Sequence, residues 1–167
     1  MQKLFTCFAL ILLLSGCGAR AAQDVPPAVP DSFSCRVRIS APQETLECSW
    51  TMTHGDSDFE ILSPPTLRGM HVLLSEDASQ IRLDDVCAAL TDGACFVRIE
   101  NAYRTLLTSP VTPVQTAQGW LYDDRAAHGF ALVQDAQTGL PLRISIPAHE
   151  ITAVLSDAAV TETETHA

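Results

Sequence analysis

Two segments near the start of the chain alternate strictly between apolar and polar residues. Phe33, Cys35, Val37 and Ile39 alternate with Ser34, Arg36, Arg38 and Ser40, and beyond Ala41-Pro42 the residues Leu46, Cys48, Trp50 and Met52 alternate with Glu47, Ser49, Thr51 and Thr53. An apolar side chain at every second position places one face of a strand on a core and the other in water. Folded as a hairpin about the Ala41–Pro42 bond, Phe33 opposes Trp50, Cys35 opposes Cys48 and Val37 opposes Leu46. On the other face Arg36 meets Glu47 and Ser34 meets Ser49. Apolar, sulfur and charged pairs agree in one register. A Cys35–Cys48 disulfide is therefore expected, because directly opposed residues have the Cα spacing that a disulfide tolerates.

The same pattern continues along the chain. Phe59-Glu60-Ile61-Leu62, Gly69 to Leu74, Gln80 to Leu83, Gly119 to Tyr122 and Gly129 to Val133 read as short strands between Gly-, Pro- and Asp-rich turns. Leu140, Leu142, Ile144 and Ile146 alternate as a further strand, and Glu150 to Ser156 is the last. Residues 84–90 suit a helix start or a strand edge equally. Between these runs the period changes once: Ile99, Ala102, Tyr103, Leu106 and Leu107 fall on one helical face, and Ser109-Pro110 ends it. The expected fold is mostly β, a curled antiparallel sheet of nine or ten strands, with one central helix near residues 99–108 placed to cover its concave side.

The first residues carry a different signal. Met1-Gln2-Lys3 precedes an apolar run from Leu4 to Leu14, too short to span a membrane but suited to a signal-peptide core. It closes on Leu14-Ser15-Gly16-Cys17, which resembles the bacterial lipobox. That resemblance implies a signal peptide at 1–16, with Cys17 as a lipidated mature N-terminus. The protein would then be lipid-anchored at the cell membrane, facing its extracytoplasmic side. Gly18 follows, so the Asp that retains many Gram-negative lipoproteins in the inner membrane is absent. Residues 17–31 hold Pro26-Pro27 and Pro30 without apolar periodicity and read as a tether. Residues 32–157 read as the domain, and 158–167 as an acidic disordered tail.

Charge and cysteine count narrow the chemistry. Twenty acids against ten bases give −10, which argues against nucleic acid as a partner. Lys3 is the only lysine and leaves with the signal, so Schiff-base chemistry is excluded from the mature chain. Cys87 and Cys95 bracket an Asp92-Gly93 turn and are expected to form a second local disulfide. No C-x-x-C spacing supports a metal. The histidines His54, His71, His128, His149 and His166 show no H-x-x-x-H spacing, and His128 beside Asp123 and Asp124 is the nearest approach to an acid–base cluster. Asp56, Asp58 and Glu60 lack the glycine and terminal Glu of a calcium loop. No enzyme motif and no cofactor site is identified.

The order of lipobox, tether, opening strands, mid-chain helix and closing strands containing Asp135-Ala136-Gln137-Thr138-Gly139-Leu140-Pro141-Leu142 resembles the LolA/LolB envelope lipoprotein carriers. It is closest to the small LolA-like lipoproteins of Gram-positive bacteria. The resemblance covers roughly residues 32–156. It implies an unclosed β-barrel, or half-barrel, with the helix near residues 99–108 as its lid, which binds a lipid or lipoprotein ligand without catalysis. Trp50, Met52, Phe59, Met70, Val72, Leu142 and Ile144 would offer a concave apolar face, and Tyr103, Leu106 and Leu107 the lid. The competing reading is a structural or signalling envelope module, in which these residues are a filled core and the surface binds a protein partner.

Overall fold

The computed structural model describes residues 25–90, 94–109 and 111–161. Cys17 and residues 162–167 lie outside them, as does Asp92-Gly93. Eleven strands form one antiparallel sheet. They are β1 (Phe33–Ala41), β2 (Glu44–Thr53), β3 (Asp56–Ser63), β4 (His71–Leu74), β5 (Ser79–Leu83), β6 (Val86–Ala89), β7 (Val114–Thr116), β8 (Gly119–Asp124), β9 (Phe130–Gln134), β10 (Pro141–Ile146) and β11 (Ile151–Val160). Their order is β6-β5-β4-β3-β2-β1-β11-β10-β9-β8-β7, and the sheet is not closed into a barrel. Each half is a meander, and the halves join where β1 pairs with β11.

The only α-helix among the described residues, α1 (Cys95–Thr108), lies in the chain between β6 and β7. These are the two edges of the sheet. α1 is one turn longer at its start than the expected 99–108, and its stripe begins at Phe96 and Val97. It packs on one face, termed here the inner face, touching β4 on one side and β10 on the other. Ala94 and Ser109 flank it without a side-chain capping bond at the N-terminus. Its stability therefore comes mainly from packing that stripe rather than from caps.

The first hairpin differs from its expected register by two residues. Phe33 opposes Met52, Cys35 opposes Trp50, Val37 opposes Cys48, and Ile39 opposes Leu46. The facing residues are unchanged because a slip of two keeps every side chain on its face. Proline decides between the two registers. Here Pro42 is the first central residue of the turn, where its fixed φ fits; the expected register made it the second, where it is disfavoured. Arg38 rather than Arg36 thus meets Glu47, at 2.6 Å and exposed.

Cys35 and Cys48 are accordingly not opposed, and Cys35, Cys48, Cys87 and Cys95 are all thiols in the structure. Residues 84–90 resolve as a two-residue turn leading into β6, on which Cys87 is exposed. β11 runs to Val160, so the first residues assigned to the tail belong to the sheet, with Val160 opposite Phe33.

Close backbone approach fixes the β8–β9 side. Gly119 has φ +133°, and a Cβ there would lie 2.1 Å from the Gln134 carbonyl oxygen. Gly119→Ala is expected to lower stability by about 3 kcal/mol, from strain and overpacking together. Gly69, with φ +81° and open space around it, should cost only about 1 kcal/mol as Ala. Thermal unfolding followed by circular dichroism compares the two; equal losses would contradict the crowding at Gly119.

Candidate functional site

The inner face is an aromatic cluster beneath α1. Trp50 on β2 stacks on Phe59 of β3, with centroids 4.8 Å apart and planes at 17°. Phe33 meets Trp50 edge-on at 5.0 Å and Tyr103 at 5.3 Å. Phe96 from the first turn of α1 reaches Phe59 at 5.2 Å. The Trp50 indole N–H, buried, donates to Ser57 Oγ at 3.2 Å, which satisfies the one polar atom in the stack.

The structure brings most of the expected ligand-binding residues together here. Trp50, Met52, Phe59, Val72, Tyr103, Leu106 and Ile144 are buried in one core cluster, with Met70 and Leu107 packed at its margin. Leu142 is not in that cluster. It sits at a register irregularity between Pro141 and Arg143, which turns it off the alternation that the sequence suggested. Phe33, which alternation places inward, joins the core, as do Phe96, Phe130, Leu132 and Trp120, none of them expected at the ligand-binding face. The 96, 99, 103, 106 spacing carried Phe96; Trp120 and Phe130 lie in strands too short for alternation to assign a face.

The inner face is filled by these packed side chains. Surface depressions include one of about 520 Å³ on the outer face beside Arg36, Arg38 and Val154, and one of about 280 Å³ between α1 and the β8–β9 turn. Trp50, Phe59 and Tyr103 line neither. At that turn His128 Nδ1 and Asp124 Oδ2 are 2.6 Å apart, with the imidazole half exposed. Among the described residues no three His, Cys, Asp or Glu side chains converge as a metal site would require, and no helix is long and apolar enough to cross a membrane. Burial pushes the Cys35 and Cys48 thiols up to about 12 and Cys95 to about 11. These are protonated thiols of low reactivity at neutral pH.

Polar groups interrupt the lid. Glu100, 4 % exposed, is paired with Arg104 one turn along α1. The guanidinium lies near Gly55 in the β2–β3 turn, and its Nη2 is buried without a hydrogen-bond partner. Tyr103 Oη donates to the Pro30 carbonyl at 2.6 Å. On the closing strands Tyr122 Oη donates to Gln134 Oε1 at 2.8 Å, and Gln134 Nε2 donates to Gly139 O at 2.7 Å. Neither Glu100 nor Gln134 carried a sequence signal, since both are polar residues on elements otherwise read by their apolar pattern.

No family model and no curated protein matches the sequence. Among solved structures the chain is similar to a LolA superfamily protein from Nitrosomonas europaea, with TM-score 0.41 and 11% identity, over 85% of this chain and 91% of that one. It is also similar to a DUF1329 family protein from Desulfovibrio piger, with TM-score 0.40 and 10% identity, over 84% and 88%.

Burial raises the Glu100 carboxyl above the usual carboxylate range, with Arg104 partly countering it and Asp56 adding to it. The folded state therefore holds this proton more tightly than the unfolded chain does. The associated stability is full below the unfolded pKa and is lost as pH rises through the folded one. Glu100→Gln removes that titration. The stability of the wild type relative to Glu100→Gln should fall as pH rises from about 4, measured by urea unfolding across pH; a difference that grows with pH would reverse the assignment.

Proposed function

We infer that the protein is a membrane-tethered envelope lipoprotein, anchored through Cys17, that takes the acyl chains of a lipid or lipid-modified partner between the sheet and α1. The observation that carries this reading is the cover of the inner face: an open sheet whose aromatic cluster is roofed by one helix. That helix lies in the chain between the two edge strands, β6 and β7, and lacks a side-chain N-cap. Such a helix can lift as a unit, in the manner of other lids.

The magnitudes decide what kind of ligand would suffice. Lifting α1 re-exposes Phe96, Val97, Ile99, Tyr103 and Leu106 on the helix and Phe33, Trp50 and Phe59 on the sheet, at roughly 1.5–3 kcal/mol each, or about 12–24 kcal/mol together. One acyl chain of about 15 methylenes, at about 0.8 kcal/mol per methylene, returns about 12 kcal/mol. A single chain thus reaches only the low end of the opening cost, whereas two or more chains cover it. The ligand should be a diacyl or triacyl species. No step of this reading needs a nucleophile or a redox group.

The second reading, a module with a filled core that binds a protein partner, draws on the closed state itself, in which Trp50, Phe59 and Ile144 have no exposure. Recovering the protein from its native membrane and identifying co-extracted lipid by mass spectrometry separates the two. The lipid-binding reading predicts one multi-acyl lipid per protein, beyond the anchor on Cys17. Protein recovered empty, and still empty after incubation with diacyl phospholipid vesicles, would leave the filled-core reading standing.

A further inference from the structure

We propose that residues 26–30 act as a strap that latches α1 closed, so that release of this segment frees the helix. The sequence pattern made Pro26-Pro27-Ala28-Val29-Pro30 the end of a tether, yet the structure packs it onto the domain. The Pro30 carbonyl accepts the Tyr103 hydroxyl of α1 at 2.6 Å. The Pro27 carbonyl accepts Gln134 Nε2 at 3.3 Å. Val29 packs against the core cluster. At the β9–β10 turn Gly139, with φ +76°, leaves room for the strap: a Cβ there would lie 2.3 Å from the Ala28 carbonyl oxygen.

The strap therefore touches the helix and the closing strands at once, and it bridges the seam along which α1 would separate. Its partners are prepared for it. Gln134 is 1 % exposed and is oriented by Tyr122 and by Gly139. The turn that presents Gly139 is itself fixed by Asp135, whose Oδ1 accepts from the Gln137 and Thr138 backbone N–H groups at 2.9 and 2.8 Å. Tyr103 is 1 % exposed, so its hydroxyl needs an acceptor wherever it stays buried. If the strap leaves, that hydroxyl loses its acceptor; if α1 lifts, the strap loses its contact with the helix. The two motions are coupled.

The strap itself is weakly held. It belongs to no strand, and three of its five residues are prolines with no N–H to donate. It can detach without breaking a sheet ladder. The latch concerns the motion of α1 alone; only the lipid arm of the test rests on the proposed function.

Hydrogen–deuterium exchange on the full chain tests the coupling. Val29→Asp places a charge against the core and should expel the strap, opening residues 25–31 to proteolysis. Amides of residues 95–108 should then exchange at least tenfold faster, with β1 and β2 unchanged. Tyr103→Phe keeps the ring packing and removes only the bond to Pro30, so it should accelerate the same amides several-fold; it decides the matter if Val29→Asp also loosens β1 and β2. A strap released to protease with unchanged helix exchange, or a Tyr103→Phe protein identical to wild type, overturns the latch. With fluorescent diacyl phospholipid, Val29→Asp should take up the probe faster. Faster helix exchange without uptake would keep the latch and count against the lipid.

Discussion

The packing of one helical stripe on one aromatic cluster organises this molecule. α1 lies in the chain between β6 and β7, the two edges of an open sheet. Ten inter-strand spacings of about 4.8 Å would make a flat sheet nearly 50 Å wide, while fourteen helical residues span only about 21 Å. The connection from edge to edge crosses the inner face, and Phe96, Ile99, Tyr103 and Leu106 meet Phe33, Trp50 and Phe59 there. The same contact that completes the core also covers the apolar inner face of the sheet. Stability and access are thereby opposed: whatever opens the face to a ligand removes part of the core.

Polar insertions set how firmly the cover sits. A helix meant only to fill a core would carry apolar residues where α1 carries Glu100, Arg104 and the Tyr103 hydroxyl. Burying an ion pair gains little over apolar packing, because desolvation offsets the attraction, and Arg104 keeps a buried nitrogen without a partner. These groups weaken the cover relative to an all-apolar stripe. Tyr103 meanwhile joins α1 to the strap, which joins Gln134 and the turn at Gly139. Helix, strap and closing strands form one seam.

Much of the sheet was legible because a period of two states which face a residue takes. Alternation in β1 and β2 placed Phe33, Cys35, Trp50 and Met52 inward, as observed. It could not state the register, since a slip of two leaves every face intact; the position of Pro42 in its turn held that information and pointed away from opposed cysteines. The central helix followed from the one change of period, and the open sheet from the resemblance to the LolA/LolB layout. The start of α1 was missed because Ala94 supplies no capping side chain and Cys95-Phe96-Val97 is also strand-like. Leu142 was misassigned because a bulge breaks alternation without a mark in the sequence. The strap was illegible for a different reason: Pro27 and Gln134 are 107 residues apart, and no local pattern encodes such a contact.

The central claim is that the apolar face becomes available only when α1 moves. Spin labels at Asn101 on the outer side of α1 and at Thr51 on the outer face of β2, both exposed, in protein with Cys87 replaced by Ser, report that separation by pulsed electron resonance. Added diacyl phospholipid should shift the distance distribution outward by several ångström in the fraction of protein that holds lipid. Stoichiometric lipid binding with an unchanged distribution would contradict the account.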